Sequence, residues 1–164
     1  MQLHLHQTHH TIGDFNGVFK YLEDMAPIKP GLHLFPELFL SGYPLLDLCL
    51  QKGFIEQVLE LHQKLEAWAI KTLKGSDSLL LVGGLDYKFD DQGLPADIYN
   101  VIWALDGSGM KRLYAKKLLP NYDIFDEEKY FTPGEEPGLL EWNGKRIGLF
   151  QCNKVGRCRV RDVS

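Results

Sequence analysis

No apolar run in this chain is long enough to cross a bilayer as a helix, and the N-terminus MQLHLHQTHH lacks the charged start and apolar centre of a signal peptide. A cytoplasmic protein without membrane contact is the expectation. Cysteine is scarce. Cys49, Cys152 and Cys158 are three in 164 residues, and the lack of paired short spacing argues against both a disulfide framework and a four-thiolate zinc site. Excess positive charge is missing too: the net charge is −4, and residues 1–152 carry 14 Lys and Arg against 21 Asp and Glu. So acidic a body gives nucleic acid little to bind. There is no internal repeat, low-complexity segment or interdomain linker. Gly83-Gly84 lacks the lysine and hydroxyl that follow in a phosphate loop, and reads as a strand end. What remains is one domain, 45% apolar, with enough material for a real core.

The patterning mixes helix and strand. Leu3 and Leu5 alternate with His4 and His6, which accounts for those histidines without a metal. After Gly13-Asp14, Phe15, Val18, Phe19 and Leu22 recur at helical spacing. Gly31 to Phe35 is a short apolar strand halted by Pro36, so that its end presents Glu37. From Phe54 to Leu73, residues Phe54, Val58, Leu61, Leu65 and Trp68 form one apolar stripe, which predicts a core-facing helix. SLLLVGGL is a buried strand. Asn100 to Leu105 and Lys111 to Tyr114 flank the turn Asp106-Gly107-Ser108-Gly109, while Gly138 to Trp142 and Arg146 to Cys152 flank Asn143-Gly144. The fold class expected is α/β.

Glu37, Lys116 and Cys152 each fall at or just beyond the C-terminal end of a predicted strand, the edge where open α/β sheets bind ligands. Together they are a sufficient chemical set for opening an amide or nitrile carbon. A free thiol has a pKa of about 8.5 and needs a proton acceptor or nearby cation to attack at neutral pH. Glu37 supplies the acceptor. Lys116 supplies charge for the thiolate and for the oxyanion of a tetrahedral intermediate. Taken singly, each has an ordinary explanation, as packed thiol, solvated lysine or turn residue; their order and context make the set. It calls for no cofactor.

FPELFLSGYPLLDL, YAKKLLPNYDIFDEEKYFTPG and GKRIGLFQC resemble three ordered blocks of the carbon-nitrogen hydrolase, or nitrilase, superfamily, and within it the glutaminase domains of glutamine-dependent NAD synthetases. The resemblance implies an αββα sandwich and a Glu-Lys-Cys triad of Glu37 as base, Lys116 rather than Lys117 as lysine, and Cys152 as nucleophile. It further implies that Glu127, with Glu128 beside it as an alternative, is a second active-site carboxylate and that Tyr43 and Tyr122 hold the substrate. The substrate is a small amide, glutamine by the LPNY and FDE elements. The reaction yields glutamate and ammonia for NAD biosynthesis. A homo-oligomer and, in the complete parent protein, an ATP-dependent NAD synthetase domain are further implications.

Beyond Cys152 the resemblance stops. The family continues with Glu-Asp where this chain has Asn153-Lys154, and residues 153–164 carry four basic residues and one acid. Gln151 already stands where an apolar strand residue is expected. The chain is therefore read as a partial hydrolase domain, 1–152, followed by an aberrant basic tail, 153–164, of the kind a frameshift or premature end produces. A strand ending at Cys152 would then have an unpaired edge. Two other readings stand beside glutaminase: a free-standing amidase acting on another small amide, and an inactive fragment or association module.

Overall fold

The computed structural model describes residues 2–122, 125–151 and 161–162. Strands β1 (Leu3–Leu5), β2 (Gly31–Leu34), β3 (Ser78–Phe89), β4 (Pro95–Asp106) and β5 (Gly109–Ala115) form one sheet in that order. The connections dictate the directions. Helix α1 (Phe15–Asp24) crosses between β1 and β2, helix α2 (Lys52–Thr72) between β2 and β3, and both pairs are parallel. Parallel neighbours need such crossovers, whereas β3, β4 and β5 are antiparallel and joined by short turns.

Period-two alternation in β3 divides the core. Leu80 and Val82 pack with Val58, Leu61, Leu65 and Trp68 of α2, while Leu79 and Leu81 turn to the opposite face and meet Ile102, Ala104, Leu140, Ile147 and Leu149. The helices thus cover one face of the sheet and a second, smaller sheet covers part of the other. This second sheet has the order β10 (Arg161–Asp162), β9 (Lys145–Leu149), β8 (Gly138–Trp142). The layer order is helix, sheet, sheet.

Local chemistry fixes the ends of these elements. Asp14 caps α1 by accepting a hydrogen bond from Gly17 N at 2.9 Å. Asn143 and Gly144 both have positive φ, 48° and 73°, as a two-residue hairpin between β8 and β9 requires.

Three expectations need correction. Gly83-Gly84 lies in the middle of β3 and is no strand end; Gly83 is present because a loop packs directly on it, as described below. The last predicted strand ends at Leu149, not at Cys152, which falls outside the described residues. Strand β9 is also paired on both sides at its centre: β8 runs along one side, and Arg161 and Asp162 of β10 pair with Gly148 and Ile147 on the other.

Candidate active site

Glu37 reaches its position through the segment that follows β2. Phe35 N donates to Leu81 O at 2.9 Å and Leu40 N to Gly83 O at 3.0 Å, so residues 36–39 arch over β3. The arch is anchored by Phe35, Leu38, Phe39 and Leu40 in the helix-side core. A Cβ at Gly83 would lie 2.5 Å from Pro36 O, 2.6 Å from Leu38 N and 2.8 Å from Glu37 Cα. Glycine is what lets the Glu37 backbone rest on the strand.

Lys116 follows β5 directly. Its N–H donates to Asn100 O at 2.7 Å, and its carbonyl accepts from Gly134 N at 2.9 Å. The side chain is 2% exposed. Its Nζ donates to Glu37 Oε1 at 2.8 Å and to Glu127 Oε1 at 3.1 Å, and also lies 2.8 Å from Glu127 Oε2. Glu127, 6% exposed, is held by its backbone, with N donating to Pro120 O and O accepting from Tyr130 N and Phe131 N. An ammonium has three N–H bonds. Three carboxylate oxygens lie within 3.1 Å of this one, Glu37 Oε1 and both oxygens of Glu127.

Electrostatics follow from one cation between two acids. Burial works against the charged form of Lys116, but the Glu37 charge and the hydrogen bonds to both carboxylates outweigh it and hold its pKa above the usual lysine value. Burial pushes the Glu127 carboxyl above its usual range, and Lys116 only partly offsets this. Lys116 is therefore cationic at neutral pH.

Each expected site residue can now be located. Glu37, Lys116 and Glu127 meet in one network. Lys117 instead turns its Nζ to Glu135 O at 3.3 Å, and exposed Glu128 accepts from Asn121 Nδ2 at 3.0 Å, which separates each from its functional neighbour. Tyr43, six residues beyond Glu37, is 40% exposed. The backbone of Tyr122 lies in β6 (Asn121–Tyr122), paired with β7 (Phe125–Asp126). The Tyr122 side chain and all of Cys152 lie outside the described residues. Cys49 is no rival thiol: it is buried, its Sγ–H faces Leu46 O at 3.0 Å, and burial pushes its pKa up to about 11.

Sequence reasoning missed two members of the network. Asn100 of β4 donates from Nδ2 to Glu37 Oε1 at 2.7 Å, and Gln151 Nε2 donates to Asn100 Oδ1 at 2.8 Å. The available signals were a polar residue opening the apolar run VIWAL, and a glutamine where a strand should be apolar. Elsewhere, His4, His6 and His33 stack across β1 and β2, with His6 Nε2 3.0 Å from His33 Nδ1. Among the described residues no three His, Cys, Asp or Glu side chains are placed to hold a metal ion.

No family model matches the chain. It is 32% identical to the glutamine-dependent NAD(+) synthetase of Aquifex aeolicus over 94% of its own length and 26% of the relative's. The Thermotoga maritima enzyme of that name is 31% identical over the same shares. The chain thus spans about a quarter of the length of the curated relatives it matches. Among solved structures, glutamine-dependent NAD+ synthetase from Acinetobacter baumannii superposes with a TM-score of 0.71 at 24% identity, covering 90% of this chain and 27% of that one. An amidase from Nesterenkonia sp. superposes at 0.67 with 22% identity, covering 90% and 54%. A CN-hydrolase superfamily protein from Xanthomonas campestris superposes at 0.57 with 18% identity, covering 89% and 51%. These likenesses identify the layered α/β fold.

Proposed function

We propose that the chain belongs to the carbon-nitrogen hydrolase, or nitrilase, superfamily and contributes a glutamine amidohydrolase site. Cys152 is its nucleophile, Glu37 the general base, Lys116 the oxyanion stabiliser and Glu127 a second carboxylate. The observation that carries the proposal is the ammonium of Lys116, buried between the Glu37 and Glu127 carboxylates, with Glu37 tied through Asn100 to Gln151, the residue before Cys152.

Glu37 takes the thiol proton of Cys152 as sulfur attacks the side-chain amide carbon, and a C–S bond forms while the carbonyl electron pair moves to oxygen. The ammonium of Lys116 stabilises that oxyanion. As the tetrahedral species collapses, Glu37 returns its proton to the departing nitrogen, which leaves as ammonia. Water then attacks the thioester, giving a proton to Glu37. The C–S bond breaks, the thiolate recovers the proton, and glutamate is released. Glu127 keeps Lys116 charged and centred throughout. Tyr43 and Tyr122 are assigned to holding the substrate. In a longer protein resembling the curated relatives, the ammonia would serve a synthetase unit in NAD biosynthesis.

One observation favours a second reading, an amidase acting on another small amide: the Nesterenkonia amidase superposes nearly as well as the synthetase. Ammonia release by the purified chain from glutamine and from a panel of short aliphatic amides, each compared with Cys152→Ala, separates the two. Release from glutamine that disappears in the variant supports the proposal, and release from the other amides alone replaces it. Equal background in both chains leaves the non-enzymatic association module.

A further inference from the structure

Asn100 is 1% exposed in the middle of the sheet, and it serves three partners. Its carbonyl accepts from Lys116 N at 2.7 Å, its Nδ2 donates to Glu37 Oε1 at 2.7 Å, and its Oδ1 accepts from Gln151 Nε2 at 2.8 Å. The direction of this chain is set by chemistry. A carboxylate only accepts, so Asn100 must face Glu37 with its NH2 and present Oδ1 to Gln151. Gln151 must then donate, which leaves its own Oε1 buried with no partner among the described residues. An orphaned buried acceptor is unfavourable. A leucine at 151 would remove that orphan but leave Asn100 Oδ1 buried without its donor, so the two residues come out near even in stability and glutamine's contribution lies in what it positions.

We propose that Asn100 and Gln151 are positioning residues, forming a polar strap that fixes which oxygen of Glu37 acts as the base. Oε1 is held by two donors, Asn100 Nδ2 and Lys116 Nζ, and cannot exchange places with Oε2 without breaking both bonds. Oε2 is the oxygen left to take a proton. Gln151 precedes Cys152 directly, so the strap ties the orientation of the base to the backbone that carries the nucleophile. This deepens the proposed hydrolase reading and rests on it.

The test is a double-mutant cycle on the purified chain with Asn100→Leu, Gln151→Leu and the pair, read by glutamine kinetics, melting temperature and peptide-resolved alkylation of Cys152 by iodoacetamide. Asn100→Leu is expected to lower kcat about 10- to 100-fold with KM moved by less than about threefold, as a misaligned base does. Gln151→Leu is expected to lower kcat about 3- to 10-fold while its melting temperature changes little, since one orphaned buried acceptor is exchanged for another, a combination that a merely structural residue does not give. The double variant should resemble Asn100→Leu, because both changes cut one chain. Unchanged kcat in Gln151→Leu, or losses that multiply, overturns the strap. If the wild-type chain releases no ammonia from glutamine, the hydrolase reading fails, and the strap is then judged on alkylation alone. Slower labelling of Cys152 at pH 7 in both variants upholds it and equal labelling rejects it. Should Asn100→Leu not fold, Gln151→Leu decides by the same readouts.

Discussion

Lys116 Nζ lies 2.8 Å from Glu37 Oε1, although 79 residues separate them in sequence, and both are delivered by backbone contacts to the same two central strands. Lys116 hangs from Asn100 of β4 and Glu37 arches over Gly83 of β3. The pair is therefore rigid before any substrate arrives, which is what electrostatic stabilisation of a transition state requires.

Removing the cation alone should be severe. Lys116→Met leaves Glu127 buried and without its ion partner, and is expected to cost about 3–5 kcal/mol in urea unfolding, with glutamine hydrolysis lost. Lys116→Met combined with Glu127→Gln should recover most of that stability and none of the activity. A double variant as unstable as the single one would show that the pair is not the source of the loss.

Gly83→Ala is expected to push the Glu37 arch off the strand, since the new methyl carbon would meet three backbone atoms at 2.8 Å or less. Overpacking of this kind costs about 1–3 kcal/mol, and kcat should fall further than stability explains. Gly84→Ala meets the Leu40 side chain at 3.0 Å and Trp103 at 3.3 Å, flexible atoms that can yield. Thermal melts and kinetics on both variants should rank them in that order.

How much of this was legible beforehand differs by element. Helix α2 was plain because Phe54, Val58, Leu61, Leu65 and Trp68 repeat at helical spacing, and the observed Lys52–Thr72 differs only at the ends. The Asn143-Gly144 turn was equally local. Gly83-Gly84 was misread because its reason is tertiary: nothing in SLLLVGGL announces that another loop will lie on it. Asn100 escaped for the same cause, with Glu37 63 residues away and Gln151 51 residues away. The choice of Lys116 over Lys117 came from resemblance. Its physical basis, that one ammonium turns into the network and the other to Glu135 O, needed coordinates.

Acid should destabilise the chain partly through His62. Burial drives its pKa from 6.5 down to about 4, and its Nε2 is buried without a hydrogen bond among the described residues. Because the folded pKa is depressed, the unfolded chain binds the proton first. The contribution is present above pH 6.5 and is lost as pH falls towards 4. Between pH 7 and pH 5 this amounts to about 2 kcal/mol. His6, His10 and His33 have lowered values and add losses of the same sign. Denaturant melts of His62→Phe should show a shallower decline with acid than the parent chain; identical slopes would remove His62 from the account.

Thiol reactivity should separate Cys49 from the proposed nucleophile. With its pKa at about 11 and its side chain buried, Cys49 is expected to stay unlabelled by iodoacetamide at pH 8 in the folded chain, while Cys152 reacts. Peptide mapping after a timed quench reads both sites at once. Preferential labelling of Cys49 would mean that the helix-side core opens on the timescale of the reaction.

The central claim is that sulfur at position 152 forms a thioester with glutamine under the control of Glu37 and Lys116. Acid-quenched mass spectrometry of the purified chain mixed with glutamine tests it directly. The account predicts a glutamyl group on the peptide bearing Cys152, absent in Cys152→Ala and strongly reduced in Glu37→Gln. Ammonia released at the same rate from the parent chain and Cys152→Ala, with that peptide unmodified, would contradict it.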